Sequence, residues 1–115
     1  MIHTDSKGNV YPIASMQTEH IKNYINLILD KCSSELDNFE NQLSDDDLFN
    51  ELNGVEKKTK QEVVSYITGN MKNLYPYIFE IVVRNESGYL ENISFRLSRL
   101  LKRNKANSKI NRLIQ

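Results

Sequence analysis

A mainly α fold is what this sequence predicts, with an N-terminal β-hairpin followed by long antiparallel helices that associate into an oligomer. Three observations predict it. Apolar residues step by three and four along three separate stretches, which is helical spacing. A turn-forming Lys7-Gly8-Asn9 sits between two short runs of strand formers. The 115 residues, 39% apolar and 26% charged, fit one globular domain over 1–115 with a modest core.

The hairpin occupies 1–14. Ile2, Thr4, Val10, Tyr11 and Ile13 are suited to strands, and Gly8 and Asn9 both tolerate positive φ. An isolated hairpin is marginal in water, so this one must pack on helices or on another copy of itself.

A helical core follows over 15–84. Ser15 or Thr18 can cap its first helix. Apolar positions then run Ile21, Tyr24/Ile25, Ile28/Leu29, Cys32, Leu36, Phe39 and Leu43. A helix that long in so short a chain calls for a partner helix. Ser44 before Asp45-Asp46-Asp47 reads as an N-cap with acids in the first turn, starting a short helix that ends near Asn53-Gly54. A second long period runs Val63, Ile67, Met71, Leu74, Ile78 and Ile81/Val82. Pro76 falls inside it without disturbing the apolar phase, which favours one kinked helix or two abutting ones. Tyr77 to Val83 is rich in strand formers, so a strand is the alternative there.

Asn85-Glu86-Ser87-Gly88 is a turn into the basic C-terminal part, 85–115. Leu90, Ile93, Leu97 and Leu100/Leu101 define its helix. Arg96, Arg99 and Arg103 fall at i, i+3 and i+7 and share one side of it. The tail from Lys105 to Gln115 either frays or continues that helix.

Net charge is zero, but charge is segregated along the chain. Residues 1–56 carry three basic and eleven acidic residues, and residues 84–115 carry eight basic and two acidic. Either the two parts face each other, or the basic third binds an anion. The basic side chains are the best candidates for a ligand site. Arginine presents forked donors that match phosphate oxygens in pairs. Arg84, Arg96, Arg99 and Arg103 would hold phosphates, Tyr89 and Phe95 would stack on a ring, and Asn92 would read its polar edge. The competing reading has the same arginines paired with the acidic half.

Enzyme classes find no support. His3 and His20 are the only histidines, and neither has a nucleophile at motif spacing. Zinc-ligand spacing, a calcium loop, a phosphate loop and a dinucleotide fingerprint are all missing, so no metal and no cofactor are expected. Cys32 stands at an apolar helical position and reads as a buried thiol. A lone cysteine, no secretory signal and no apolar run of membrane length point to the cytoplasm and away from membranes.

The first quarter carries a resemblance. Thr4, Gly8, Tyr11, Ile13, Met16, His20, Ile21, Asn23 and Ile25 stand at the spacing found at the start of many small phage and prophage proteins. There, a Lys-Asp-Gly-type hairpin leads into a helix with the pattern M-x-x-x-H-[IL]-x-N-x-[IL]. Here Ser6-Lys7-Gly8 replaces Lys-Asp-Gly, and an aromatic usual near the start is missing. Size, helical character and hairpin also look similar to the phage anti-Thoeris sponge proteins. That resemblance implies a viral, oligomeric, non-enzymatic anti-defence protein in the host-cell cytoplasm. It would sequester a small phosphorylated, cyclic-nucleotide-type signal. The alternative is a nucleic-acid- or protein-binding accessory factor that uses the basic helix.

Overall fold

The computed structural model describes residues 1–44 and 60–108. The short helix expected after Ser44 and the tail beyond 108 lie outside the described residues.

The element order is β1 (Ile2–Thr4), β2 (Val10–Pro12), a 3-10 turn (Ile13–Ser15), α1 (Thr18–Ser44), α2 (Lys60–Val83) and α3 (Ser87–Ser108). The strands pair antiparallel, with His3 opposite Tyr11. Asp5 builds the turn between them. Its carboxylate accepts from the Lys7 and Asn9 amides at 2.9 Å, and its own amide donates to the Asn9 carbonyl. The bonds its carboxylate accepts, that from the Asn9 amide foremost, lower the pKa of the Asp5 carboxyl. Of the two residues suited to positive φ, only Gly8 uses it, at 87°.

The expected caps of α1 are employed otherwise. The Ser15 hydroxyl donates to the Pro12 carbonyl, and the Thr18 hydroxyl accepts from Arg84. The helix starts after Gln17, whose carbonyl takes the Ile21 amide.

The helices run up, down and up. Ile21, Ile25, Leu29, Cys32, Leu36 and Phe39 of α1 meet Val63, Ile67, Met71, Leu74, Tyr77 and Ile81 of α2 in one core. Most of the apolar positions read from the sequence on α1 and α2 are therefore buried, while Tyr24, Ile28 and Ile78 are partly buried and Val82 is half exposed. The stretch Tyr77 to Val83 is helical, and Pro76 lies inside α2. Pro76 cannot donate to the Lys72 carbonyl, and its ring crowds that turn. Burial of Leu74, Tyr77 and Ile81 on both sides of it outweighs that penalty and the strand preference of the sequence.

Asn85 closes α2 with φ 60°. Its amide donates to the Val82 carbonyl, and the Glu86 amide reaches back to the Ile81 carbonyl at 3.4 Å. This pair of bonds is the Schellman arrangement, with asparagine in the left-handed position usually held by glycine. It reverses the chain in three residues and sets α3 parallel to α1.

Among the described residues, α3 is covered only in part. Of its described side chains, Ile93, Leu100, Asn104 and Asn107 are buried, while Leu90 and Leu97 are partly buried. Among the described residues, no helix is long and apolar enough to cross a membrane.

Candidate binding surface

The side of α3 that faces α1 is a polar seam with a seven-residue repeat. Tyr89, Arg96 and Arg103 recur every seven residues, as neighbours across a parallel helix pair must. The Tyr89 hydroxyl donates to the Lys22 carbonyl at 3.0 Å or to Asn26 Oδ1 at 3.1 Å. Arg96 donates to Asp30 at 2.6 Å and reaches Asn26 at 3.4 Å. Arg103 donates to Asp37 at 2.6 Å and to both carboxylate oxygens of Glu40, at 2.8 and 3.2 Å. Glu40, then Asp37, holds the Arg103 guanidinium still more firmly in its charged form. The acidic and basic parts of the chain thus face each other along this seam.

Arg84 is engaged elsewhere. From the end of α2 it donates to Glu80 at 3.0 Å, to the Thr18 hydroxyl at 3.0 Å and to the Ala14 carbonyl at 3.1 Å. It ties the hairpin exit and the start of α1 to α2. The remaining candidates, Asn92, Phe95 and Arg99, are exposed on the outside of α3. The Arg99 guanidinium lies 5.9 Å from the centre of the Phe95 ring. The seven residues singled out in the sequence therefore divide. Arg84, Tyr89, Arg96 and Arg103 hold helices together, while Asn92, Phe95 and Arg99 face outward.

A groove opens on the other flank of α3, against α2. It encloses about 840 Å³ and is floored by Ile78 and Val82 of α2 with Leu90, Ile93, Leu97 and Leu101 of α3. Ser94 and Ser98 lie along its middle, Glu91 at one end, and Lys102 and Lys105 at the other. Val82 and Leu101 are about half exposed, at 50% and 51%. The sequence shows Leu90, Ile93, Leu97 and Leu101 only as the apolar stripe of a helix, without indicating that part of it stays exposed. The available signal was the width of the apolar arc on α3, which has Leu90, Ile93, Leu97, Leu100 and Leu101, wider than α1 and α2 cover among the described residues. A smaller hollow of about 450 Å³ lies by the hairpin, lined by Met1, Ile13, Tyr75, Pro76 and Phe79 among others.

Titratable groups elsewhere point to structure. His3 is buried among Tyr11, Tyr24, Tyr77 and His20, with ring centres 4.9 to 5.7 Å away. Burial, then the neighbouring His20, lowers its pKa, while Asp5 opposes the change. Burial, then Tyr24, pushes the Tyr77 hydroxyl up to about 12. Cys32 is fully buried, and desolvation raises its thiol to about 11, so the nucleophilic thiolate is suppressed. Among the described residues, no group of three or more His, Cys, Asp or Glu could hold a metal ion. No protein-family model, curated protein or solved structure matches this chain.

Proposed function

We propose that this chain is a non-enzymatic accessory protein of the phage type that acts through protein contacts at the α2–α3 groove. The observation that carries this reading is the groove itself, an apolar floor edged by polar side chains, which the described residues leave open beside α3. Burying half-exposed leucine and valine side chains supplies a favourable, non-directional driving force. Helix-lined apolar grooves of this kind accept helices.

The seam supports the same reading from the other side. A phosphate arriving at Arg96 or Arg103 would have to displace Asp30, Asp37 or Glu40, then sit beside those carboxylates. Coulomb repulsion and the desolvation of displaced anions both oppose that exchange.

A photo-crosslinking residue at Leu101, compared with one at Asn92, tests the reading in the expressing cell. Protein adducts at Leu101 and none at Asn92 are expected. Equal labelling at the two positions would remove the support for the groove.

One observation favours a second reading, the sequestration of a small phosphorylated nucleotide. Arg99 and Phe95 are both exposed and already associated, giving a cation beside an aromatic surface. Thermal melting with a panel of cyclic nucleotides, for the wild type and Arg99→Ala, tests it. A ligand-induced rise lost in the variant supports nucleotide capture. No rise with any nucleotide in the panel counts against it. Steeply salt-sensitive binding to a duplex would instead favour nucleic acid.

A further inference from the structure

We infer that the occupant of the α2–α3 groove is a second copy of this chain, docked antiparallel about a two-fold axis beside Leu97 and Ser98. The inference rests on the reading of the groove as a protein-binding face and names its partner. Charge order along the groove carries it. Glu91 stands at the end nearest the α2–α3 turn, and Lys102 and Lys105 at the opposite end. Lys102 stands eleven positions after Glu91, or about 16 Å along a helix. Leu97 lies midway between Glu91 and the lysine end.

A two-fold axis at that midpoint brings Glu91 of each copy to the lysine end of the other. Glu91 of each copy then comes near Lys102 of the other by one operation, as a self-complementary interface requires. A parallel arrangement in the same register would set Glu91 against Glu91 and Lys102 against Lys102.

The apolar middle obeys the same symmetry. In the antiparallel register the small Ser94 of one copy faces Leu101 of the other, and Ser98 faces Leu97. Large side chains thus meet small ones, the condition for interdigitated helix packing. Zero net charge for the whole chain also means that two copies meet without long-range repulsion.

Sedimentation velocity of the full chain across the micromolar range tests the inference. The wild type is expected to be a dimer. Leu101→Asp, at a half-exposed position that leaves the monomer core intact, is expected to give a monomer with unchanged helical circular dichroism. Glu91→Lys and Lys102→Glu are each expected to raise the dissociation constant by about tenfold. The double variant, whose reversed charges again face each other, is expected to return to within a few-fold of the wild type. A monomeric wild type overturns the inference. So does a double variant weaker than either single one, or a dimer indifferent to Leu101→Asp. If the wild type is monomeric but Leu101 still crosslinks to another cellular protein, this inference fails while the groove reading survives. If it is monomeric and Leu101 gives no adduct, both fail.

Discussion

Nδ1 of His3 lies 2.7 Å from the hydroxyl of Tyr77, a hydrogen bond that fastens the first strand to the C-terminal third of α2 across 74 residues of sequence. The contact is buried, and His3 as a whole is only 4% exposed. It gives the hairpin the packing partner that an isolated pair of strands lacks.

Stability should therefore depend on pH through His3. Its folded-state pKa is lowered, chiefly by burial, so the folded chain prefers the neutral ring. The unfolded value is ordinary, about 6.5. The stabilising contribution is complete above that value and is lost as pH falls through the folded value. Urea midpoints should drop between about pH 7.5 and about pH 5, and His3→Gln should flatten the drop. The groups facing His3 are Asp5, Tyr11, His20, Tyr24 and Tyr77. His20→Gln, which removes a like charge, serves as the control for coupling.

The seam arginines should matter for stability and the outward one should not. Arg103 contacts two carboxylates, but Asp37 is 62% exposed, so solvent screens part of the attraction. Arg103→Ala is expected to cost roughly 1 kcal/mol, and less in high salt. Arg99→Ala should change stability by under about 0.5 kcal/mol. Chemical denaturation at two ionic strengths distinguishes the two. Equal losses for both variants would show that the seam contributes nothing particular.

Asn85 gives a cleaner backbone test. Its φ of 60° strains any residue with a β-branched side chain. Asn85→Gly is expected to be neutral or mildly stabilising, while Asn85→Val should cost on the order of 1–2 kcal/mol. Thermal melting reads both, and a harmless valine would argue against the left-handed turn.

Cys32 should resist thiol reagents until the chain unfolds. Its side chain is fully buried and its thiol is raised to about 11. Native protein at neutral pH should react with an aromatic disulfide far more slowly than protein in denaturant. Equal rates would place Cys32 outside the core.

Much of this fold was legible in the apolar spacing. Ile21, Ile25, Leu29, Cys32 and Leu36 are buried where a period of 3.6 puts them, as are Val63, Ile67, Met71 and Leu74. Local preference misleads where tertiary burial decides, as at Tyr77 to Val83, which reads as strand and folds as helix. The candidate site was less legible for the same kind of reason. Spacing puts Arg96 and Arg103 on one side of a helix, but only the packing of α3 parallel to α1 shows that Asp30, Asp37 and Glu40 already occupy their donors. The groove was hidden because Leu97 and Leu101 look like core residues in any sequence. Their exposure depends on how many helices exist to cover them.

The seam between α1 and α3 also bears on the order of folding. Its hydrogen bonds join residues 63 to 70 apart, whereas each helix forms from neighbours a turn away. Closing so long a loop is entropically slow, and it requires α2 to have folded back first. Zipping of Arg96 and Arg103 onto α1 therefore belongs to the downhill side of the folding barrier. Their removal should accelerate unfolding and leave the refolding rate nearly unchanged. In that case the paired charges act as a latch on the native state, governing how long a folded molecule persists rather than how quickly it is made.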